Sequence, residues 1–254
     1  MTIAIKNLYK SFNDHKILDG INLDISEGES FVLLGGSGSG KSVLIKMMIG
    51  LIFPDSGSIL INDTDINKIS MKQKYAIMRK CGFLFQSSAL FDSLTVSENI
   101  TFFAKQLYKL SSIEIERLVT TQLEIVGLSK KISNSYPSEL SGGMKKRVAL
   151  ARAICIKPKI LFFDEPTTGL DPTLTETITD LIVKIHKLFN ATTITITHNI
   201  AEAYKIGEKI SLLKYGKIAW SGKKQELFIA KNQSIKDFIN PYVKERGIYI
   251  SKDN

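Results

Sequence analysis

Eight consecutive residues near the N-terminus have the types and spacing of a phosphate-binding loop: Gly35, Gly36, Ser37, Gly38, Ser39, Gly40, Lys41 and Ser42. The loop follows an apolar run and precedes a helical pattern, so it matches the Walker A motif in full. The glycines let consecutive backbone N–H groups surround phosphate oxygens. Lys41 adds charge at the β- and γ-phosphates, and the Ser42 hydroxyl can bind Mg²⁺. A flexible glycine-serine linker is the alternative, which the flanking strand and helix patterns disfavour.

A second segment that could bind an anion is Leu140-Ser141-Gly142-Gly143-Met144, directly ahead of another helical pattern. Ser141 is predicted to cap that helix, and the two glycines let a ligand approach the backbone closely. A helix start attracts phosphate because its first N–H groups are unpaired and carry partial positive charge. Taken alone, the segment is more typical of an ordinary turn that opens an amphipathic helix.

Polar residues also follow three further apolar runs, which have the pattern of strands buried on both faces. These polar residues are Gln86, Asp164, Glu165 and His198. Open parallel sheets bind ligands beyond the carboxyl ends of their strands. Because the phosphate loop also follows a strand, four strand ends carry polar chemistry. This arrangement predicts one shared site.

Each of these four side chains has a chemical role that suits a nucleotide. Asp164 can hold Mg²⁺ through water, and Glu165 can orient and polarise the attacking water. His198 can hydrogen-bond the γ-phosphate, and Gln86 can bind Mg²⁺ or place water. The alternatives are an acidic turn for the two carboxylates, a structural or surface histidine, and an ordinary loop glutamine.

The elements that must position these residues alternate between buried strands and helices, which predicts an α/β fold with a parallel sheet. One helix is predicted over residues 42–50. Another follows Asp171-Pro172, a cap with proline at the first helical position. Alternating apolar and polar residues at 21–25 and 57–61 predict an antiparallel sheet beside the main one.

The chain is predicted to have one domain and a tail. Residues 1–225 form the domain, with an inserted helical subdomain at about residues 87–155, and residues 226–254 form a C-terminal helical tail. Tyr215-Gly216 is predicted to be a hairpin turn.

The composition fits a globular chain with a substantial core: 254 residues, 44% of them hydrophobic, and a formal net charge of +9. The lysines are scattered singly or in pairs, so nucleic-acid binding is not expected. Cys81 and Cys155 lack metal-site spacing and are expected to be reduced thiols in a cytosolic protein. Residues 1–6 do not have the charged-then-apolar pattern of a secretion signal. No apolar run approaches the roughly 20 residues that span a bilayer. Any membrane role is therefore expected to come through a partner.

The full set of motifs resembles the ATP-binding subunit of ABC transporters, over residues 1 to about 225. The motifs are the phosphate loop, Gln86, residues 140–144, Asp164-Glu165, residues 169–171 and His198, in this order. The resemblance implies a P-loop NTPase (RecA-like) core with an antiparallel β subdomain and an inserted α-helical subdomain. It also implies hydrolysis of ATP with Mg²⁺. Lys41, Glu165 and His198 would be catalytic, and Ser42, Gln86 and Asp164 would bind the metal.

The same resemblance implies partners and further binding residues. Two copies would pack head to tail, with each ATP between the Walker loop of one copy and Ser141-Gly142-Gly143 of the other. Phe12 would stack on adenine, Val43 would lie at the nucleotide beside the loop, and Asp171 would link the two sites. The helical lobe beyond Gln86 would receive the coupling helix of an integral-membrane permease, and a substrate-binding protein is an optional further partner. The subunit would be peripheral, on the cytoplasmic face of the inner (cell) membrane.

Three stretches resemble more particularly the ATPase of Mla-type phospholipid-trafficking importers: residues 35–44, 85–96 and 140–153. They predict a lipid cargo. The chain departs from the commonest ABC pattern at Val43, Met144 and Asn199, where threonine, glutamine and aspartate are frequent. Val43 and Met144 fit the Mla-like group. The tail from residue 238 loosely resembles that group's C-terminal extension, so a subunit-clasping tail is a hypothesis.

Other functions stay open at this point. The permease and any binding protein choose the cargo, so an ABC ATPase for another solute, such as a ribonucleotide or an amino acid, is the alternative. A soluble ABC protein of translation or DNA repair is disfavoured by the single cassette and by the short stretch between Gln86 and Ser141. A regulatory module without turnover is disfavoured by the presence of both Lys41 and Glu165.

Overall fold

The computed structural model describes residues 1–246. This part of the chain divides into two compact units. The first unit contains Met1–Lys74 and the chain from Ile194 onward, and the second contains Tyr75–Thr193. Of the predicted tail, residues 247–254 lie outside the described part.

Strands and helices alternate along most of the described chain. In chain order the strands are β1 (Ile3–Phe12), β2 (His15–Ile25), β3 (Ser30–Leu34), β4 (Ser56–Ile61), β5 (Thr64–Asp65), β6 (Cys81–Leu84), β7 (Ile160–Asp164), β8 (Thr192–Thr197), β9 (Lys209–Lys214) and β10 (Lys217–Lys223). The α-helices are α1 (Lys41–Met48), α2 (Met71–Met78), α3 (Val96–Leu107), α4 (Ser112–Ile125), α5 (Gly142–Ile154), α6 (Pro172–Phe189), α7 (Ile200–Ile206) and α8 (Gln233–Arg246). The predicted α/β class is confirmed.

The first unit contains an antiparallel sheet with the strand order β2-β1-β4-β5. In β2, Ile21, Leu23 and Ile25 are buried, while the two residues between them are exposed. This is the period of two expected for a strand with one face on the core. The antiparallel sheet predicted from residues 21–25 and 57–61 is therefore confirmed.

The remaining strands of the first unit lead to the phosphate loop. β3 is buried along its whole length and runs parallel to β9. β9 pairs with β10 in an antiparallel hairpin. Tyr215 and Gly216 form its turn, with φ of 50° and 72°, which confirms the predicted turn. The end of β8 adjoins this group, because Gly35 N donates a hydrogen bond to the Thr197 carbonyl at 3.3 Å.

The second unit contains two parallel strands, β6 and β7, and most of the helices. Every residue of β7 before Asp164 is buried. Helices α3, α4 and α5 occupy the stretch between the two strands, with short 3-10 turns at Lys130–Asn134 and Pro137–Glu139. Thr95 is the N-cap of α3 and Ser111 is the N-cap of α4. Each forms a capping box with the glutamate three residues later, which fixes where the helix starts.

The C-terminal helix α8 packs on the first unit. Ile235 and Ile239 are buried, and Asn232 Nδ2 donates a hydrogen bond to the Ala219 carbonyl in β10 at 3.0 Å. Among the described residues, no helix has both the length and the apolar character needed to cross a bilayer.

Candidate functional site

The loop of residues 35–42 joins β3 to α1 in the first unit and has one open face. Gly40 precedes α1 with φ 103°, a backbone conformation that side chains rarely adopt. A Cβ at Gly35 would lie 2.6 Å from the Leu213 carbonyl oxygen, so this glycine is needed for packing. A Cβ at Gly36 or Gly38 would meet no atom of the described residues within 4 Å. The loop backbone is thus accessible to a ligand on that side.

Lys41 and Ser39 give the loop polar groups that suit a phosphate. Lys41 is only 4% exposed, and its Nζ donates hydrogen bonds of 2.9 Å to the carbonyls of Gly35 and Gly36. Ser39 Oγ is buried without a hydrogen-bond partner among the described residues. A buried ammonium, an orphaned hydroxyl and the start of α1 together fit an anionic ligand. Ser42 and Val43 follow on α1, both half-buried.

His198 and Phe12 also belong to the first unit. His198 is exposed, one residue after β8 ends. A local network fixes the chain around it: Thr197 Oγ1 donates to the buried Glu202 carboxylate at 2.5 Å, and Asn199 N donates to Thr197 Oγ1 at 3.0 Å. Phe12 ends β1 and is 44% exposed, so its ring is open to a stacking partner.

Gln86 and Asp164 line one cavity within the second unit. The cavity has a volume of about 510 Å³, and Phe85, Ser87 and Thr168 complete its lining. Gln86 is exposed and Asp164 is half-buried at the end of β7. An amide oxygen and a single carboxylate suit Mg²⁺, which usually takes one or two carboxylates and keeps water or phosphate oxygens as its other ligands.

Glu165 stands beside this cavity in a strained backbone conformation. Its φ is 43°, in the left-handed region, which costs on the order of 1–3 kcal/mol for a side chain of this kind. Thr168 Oγ1 donates a hydrogen bond of 2.8 Å to Glu165 Oε2. This bond orients the carboxylate after the sharp turn at the end of β7.

At the start of α5 the structure confirms the predicted Ser141 cap and leaves the backbone open at Gly142, whereas Gly143 is buried. Met144 N donates to Ser141 Oγ at 3.3 Å, so Ser141 is the N-cap. In the part of the chain that the structure describes, no atom lies within 4 Å of a Cβ placed at Gly142, whereas one at Gly143 would lie 2.9 Å from Leu174. Gly143 therefore allows α5 to approach α6 closely. Asp171 caps α6 by accepting a 2.9 Å hydrogen bond from Leu174 N, and it is exposed.

Two cations of α5 bind the segment that follows β6, and sequence reasoning missed both. Lys146 Nζ donates to the carbonyl of Gln86. The guanidinium of Arg152 donates to the carbonyls of Ser88 and Ala89, both at 2.8 Å. The signal available in the sequence is spacing, since Lys146 lies three residues after Gly143 on the face that α5 buries.

An apolar groove of about 410 Å³ lies in the same unit. Aromatic rings form much of its wall: Tyr75, Phe83, Phe85, Phe91 and Phe103. Arg79 lies over the Tyr75 ring at 4.7 Å, and among residues 1–246 no acidic side chain lines the groove. Cys81 also lines the groove, and burial raises the pKa of its thiol to about 12.

The predicted site residues thus fall into two groups. In the first unit, residues 35–43 follow the end of β3 and His198 follows the end of β8. Phe12 ends β1, in the antiparallel sheet. The second unit brings together Gln86, Asp164 and Glu165 near the end of β7, and places Ser141 and Asp171 at the starts of two packed helices. Thr168, which binds Glu165, is a third residue that the sequence did not single out.

Comparison with known proteins gives consistent results. The family described as ABC transporter matches residues 18–168. A probable ribonucleotide transport ATP-binding protein of Mycobacterium leprae is 39% identical over 240 residues, covering 94% of this chain and 69% of that protein. The Arabidopsis thaliana protein named TRIGALACTOSYLDIACYLGLYCEROL 3, chloroplastic, is 38% identical over 252 residues, covering 93% of this chain and 72% of that protein. Other relatives are named as sulfate/thiosulfate and methionine import ATP-binding proteins.

Solved structures agree with the sequence relatives. The dimeric structure of MJ0796, a bacterial ABC transporter cassette, has a TM-score of 0.80 at 33% identity and covers 87% of this chain and 98% of that chain. The same cassette has been solved as a dimer in a post-hydrolysis state bound to ADP and Pi. The P-loop NTPase fold is confirmed by this likeness. Because the family match spans more than half of the sequence, this chain belongs to the ABC transporter family, as an ATPase that binds and hydrolyses ATP with Mg²⁺.

Proposed function

We propose that this chain energises a membrane permease by closing as a dimer on ATP and reopening after hydrolysis. One observation carries the proposal. A single chain holds two separate helix starts that can bind phosphate: the open loop ahead of α1, and the Ser141 cap of α5 with Gly142 uncovered beside it. The first start suffices to bind a nucleotide. The second serves the nucleotide held by another copy.

The first unit supplies the groups that bind the triphosphate. Lys41 exchanges its bonds to the carbonyls of Gly35 and Gly36 for phosphate oxygens, and the Ser39 hydroxyl gains a partner at the same time. Ser42 binds Mg²⁺, and His198 hydrogen-bonds the γ-phosphate. Phe12 stacks on the adenine, with Val43 beside the phosphates.

The second unit supplies the groups that act on the attacking water. Gln86 and Asp164 bind Mg²⁺, and their common cavity supports this pairing. When bound, Mg²⁺ neutralises phosphate charge that develops during the reaction. Glu165 orients and polarises the water, with its carboxylate held by Thr168.

The dimer is proposed to be head to tail, so that Ser141-Gly142-Gly143 of one copy meets the γ-phosphate held by the other. MJ0796, which is similar to this chain over 87% of its length, has been solved as a dimer. Within the chain, the close approach of Gly143 to Leu174 ties the start of α5 to the start of α6. Asp171, the cap of α6, would therefore move together with Ser141 and link the two sites.

The permease is proposed to insert a helix into the apolar groove of the second unit. Its five aromatic rings offer an apolar wall, and Arg79 is its accessible charge. An amphipathic helix with apolar anchors and one acidic residue would complement this surface. The subunit would then be peripheral, on the cytoplasmic face of the membrane, with a substrate-binding protein as an optional further partner.

For the cargo, we propose a phospholipid or related lipid, as in Mla-type importers. Support comes from the three stretches at residues 35–44, 85–96 and 140–153, and from the relative named after a galactolipid. The alternative is a polar solute, because another relative of similar identity is named for ribonucleotide transport. The permease chooses the cargo, so this ATPase carries only indirect information about it.

Purification of the ATPase together with its permease tests the function and the cargo in one preparation. Mass spectrometry of an organic extract and of an aqueous extract identifies what the complex holds. We expect a phospholipid in the organic extract, together with ATPase activity that a Lys41→Ala variant lacks. A nucleotide, amino acid or sulfate as the sole bound solute would overturn the lipid cargo. Failure of any permease to co-purify, with ATPase activity intact, would overturn the transport role.

A further inference from the structure

The helix α5 carries two charged side chains on its buried face. Lys146 is 5% exposed and Arg152 is 6% exposed. Burying a cation is costly unless hydrogen bonds compensate it. In this unit the compensation comes from main-chain carbonyls of Gln86, Ser88 and Ala89, which lie 60 or more positions away in sequence. These hydrogen bonds therefore attach α5 to the loop of residues 86–89, which is distant from it in sequence.

The backbone conformation of residues 86–89 is restricted. Ser88 and Ala89 both have left-handed backbones, with φ of 65° and 46°, although neither is glycine. The Arg152 guanidinium donates hydrogen bonds to the carbonyls of these two residues, and it also lies 5.7 Å from the Phe91 ring centroid. Arg152 thus fixes the far end of the loop.

Lys146 fixes the near end, at Gln86 itself. Its bond to the Gln86 carbonyl sets the peptide plane between Gln86 and Ser87, and hence the direction in which the exposed Gln86 side chain leaves the backbone. That side chain lines the cavity shared with Asp164. A displacement of α5 would therefore turn the Gln86 amide relative to Asp164.

We propose that Lys146 is a positioning residue that orients Gln86 as a Mg²⁺ ligand. The inference rests on the proposed role of Gln86. A group that does not touch the metal but orients one of its ligands has a large effect on metal affinity, so loss of the ammonium should weaken metal binding by about tenfold. Binding of the adenine and the phosphates through the loop of residues 35–42 should be unchanged.

The test compares variants of the full chain by two measurements. Lys146→Met keeps the length of the side chain and removes the donor, Lys146→Arg keeps a donor, and Lys145→Met changes the half-exposed neighbouring lysine as a matched control. Electron paramagnetic resonance of free Mn²⁺ gives metal affinity with a non-hydrolysable ATP analogue present. Fluorescence of a labelled nucleotide without metal gives nucleotide affinity.

We expect about tenfold weaker Mn²⁺ binding for Lys146→Met, recovery in Lys146→Arg, and no change in Lys145→Met. In a chain that already carries Gln86→Ala, Lys146→Met should cause no further loss of Mn²⁺ affinity, because both changes act on the same ligand. If Gln86→Ala weakens Mn²⁺ binding but Lys146→Met does not, the inference fails while the role of Gln86 stands. If neither change weakens it, the proposed role of Gln86 fails as well. Should Lys146→Met not fold, Mn²⁺ binding by Lys146→Arg far below that of the unchanged chain would overturn the inference.

Discussion

Glu165 leaves β7 with a left-handed backbone, and its carboxylate accepts a hydrogen bond from Thr168. A strained residue held by a specific partner beside a proposed metal site is suited to catalysis. Replacing Glu165 by Gln keeps the size of the side chain and removes the base. We expect phosphate release to fall by about 100-fold or more, while ATP binding is retained. The variant should also accumulate as an ATP-dependent dimer, which light scattering detects. Phosphate release near that of the unchanged chain would defeat the role of Glu165.

Thr168 acts on the same carboxylate, so it should affect the rate rather than nucleotide affinity. Thr168→Val keeps the shape and removes the 2.8 Å hydrogen bond. A hydrogen bond to a charged group contributes about 1.5–3 kcal/mol, and an orientation loss at the lower end corresponds to about a tenfold fall in kcat. Thr168→Ser, which keeps the hydroxyl, is the control. Equal values of kcat for the Val and Ser variants would show that the bond has no part in turnover.

The residues found from sequence and the residues missed differ in what determines their roles. Ser141 and Asp171 are caps, and a cap depends on the two or three residues that follow it, so the local pattern predicted both. Thr168 and Lys146 act through contacts set by a turn and by the packing of α5. Lys146 reaches a carbonyl 60 positions away. No pattern within one element contains that information.

Among the elements, α3 offers a clear link between charge and stability. Backbone and side-chain hydrogen bonds from Thr95 lower the pKa of Glu98 below its ordinary value. A carboxylate whose pKa is lower in the folded chain stabilises it above the unfolded pKa, and that contribution is lost as pH falls through the folded pKa. We expect Glu98→Gln to lower the thermal midpoint at pH 7 and to lower it less at pH 3, measured by circular dichroism. Glu116→Gln, at an exposed position of α4, is the control. An equal effect of Glu98→Gln at both pH values would contradict the ionic origin.

Strands are predictable from the sequence where apolar and polar residues alternate or where a whole run is apolar. β2 shows the first pattern, and the apolar runs of β3 and β7 show the second. β10 shows neither, because its residues are half-buried or exposed and a bulge interrupts its pairing between Ile218 and Trp220. The helical tail, expected from residue 226, has its long helix only from Gln233. A 3-10 turn, Lys224–Glu226, precedes it, closed by a Glu226 carboxylate that accepts from Lys223 N.

At the scale of the whole molecule, the central question is which copy completes which ATP site. Ser141 and Gly142 are both exposed, and a Cβ at Gly142 would meet no atom of residues 1–246 within 4 Å, so this helix start is available to a second copy. Ser141→Arg fills this space and removes the cap, at a cost of about 1 kcal/mol to the helix. It should abolish turnover in a homodimer while nucleotide affinity, measured on the separate copies, stays the same. Lys41→Ala should instead lose nucleotide affinity.

A mixed dimer of these two variants distinguishes a shared site from a site within one copy. If each ATP lies between two copies, one site combines both defects and the other combines an intact Walker loop with an intact Ser141. Two affinity tags isolate the mixed dimer, and a single-turnover experiment counts the sites that release phosphate. We expect one working site per dimer. If Lys41 and Ser141 instead served the same copy, both copies would be damaged and none would work, whereas two working sites would mean that turnover needs neither Lys41 nor Ser141. One working site is informative because Ser141→Arg by itself is expected to abolish turnover in the homodimer.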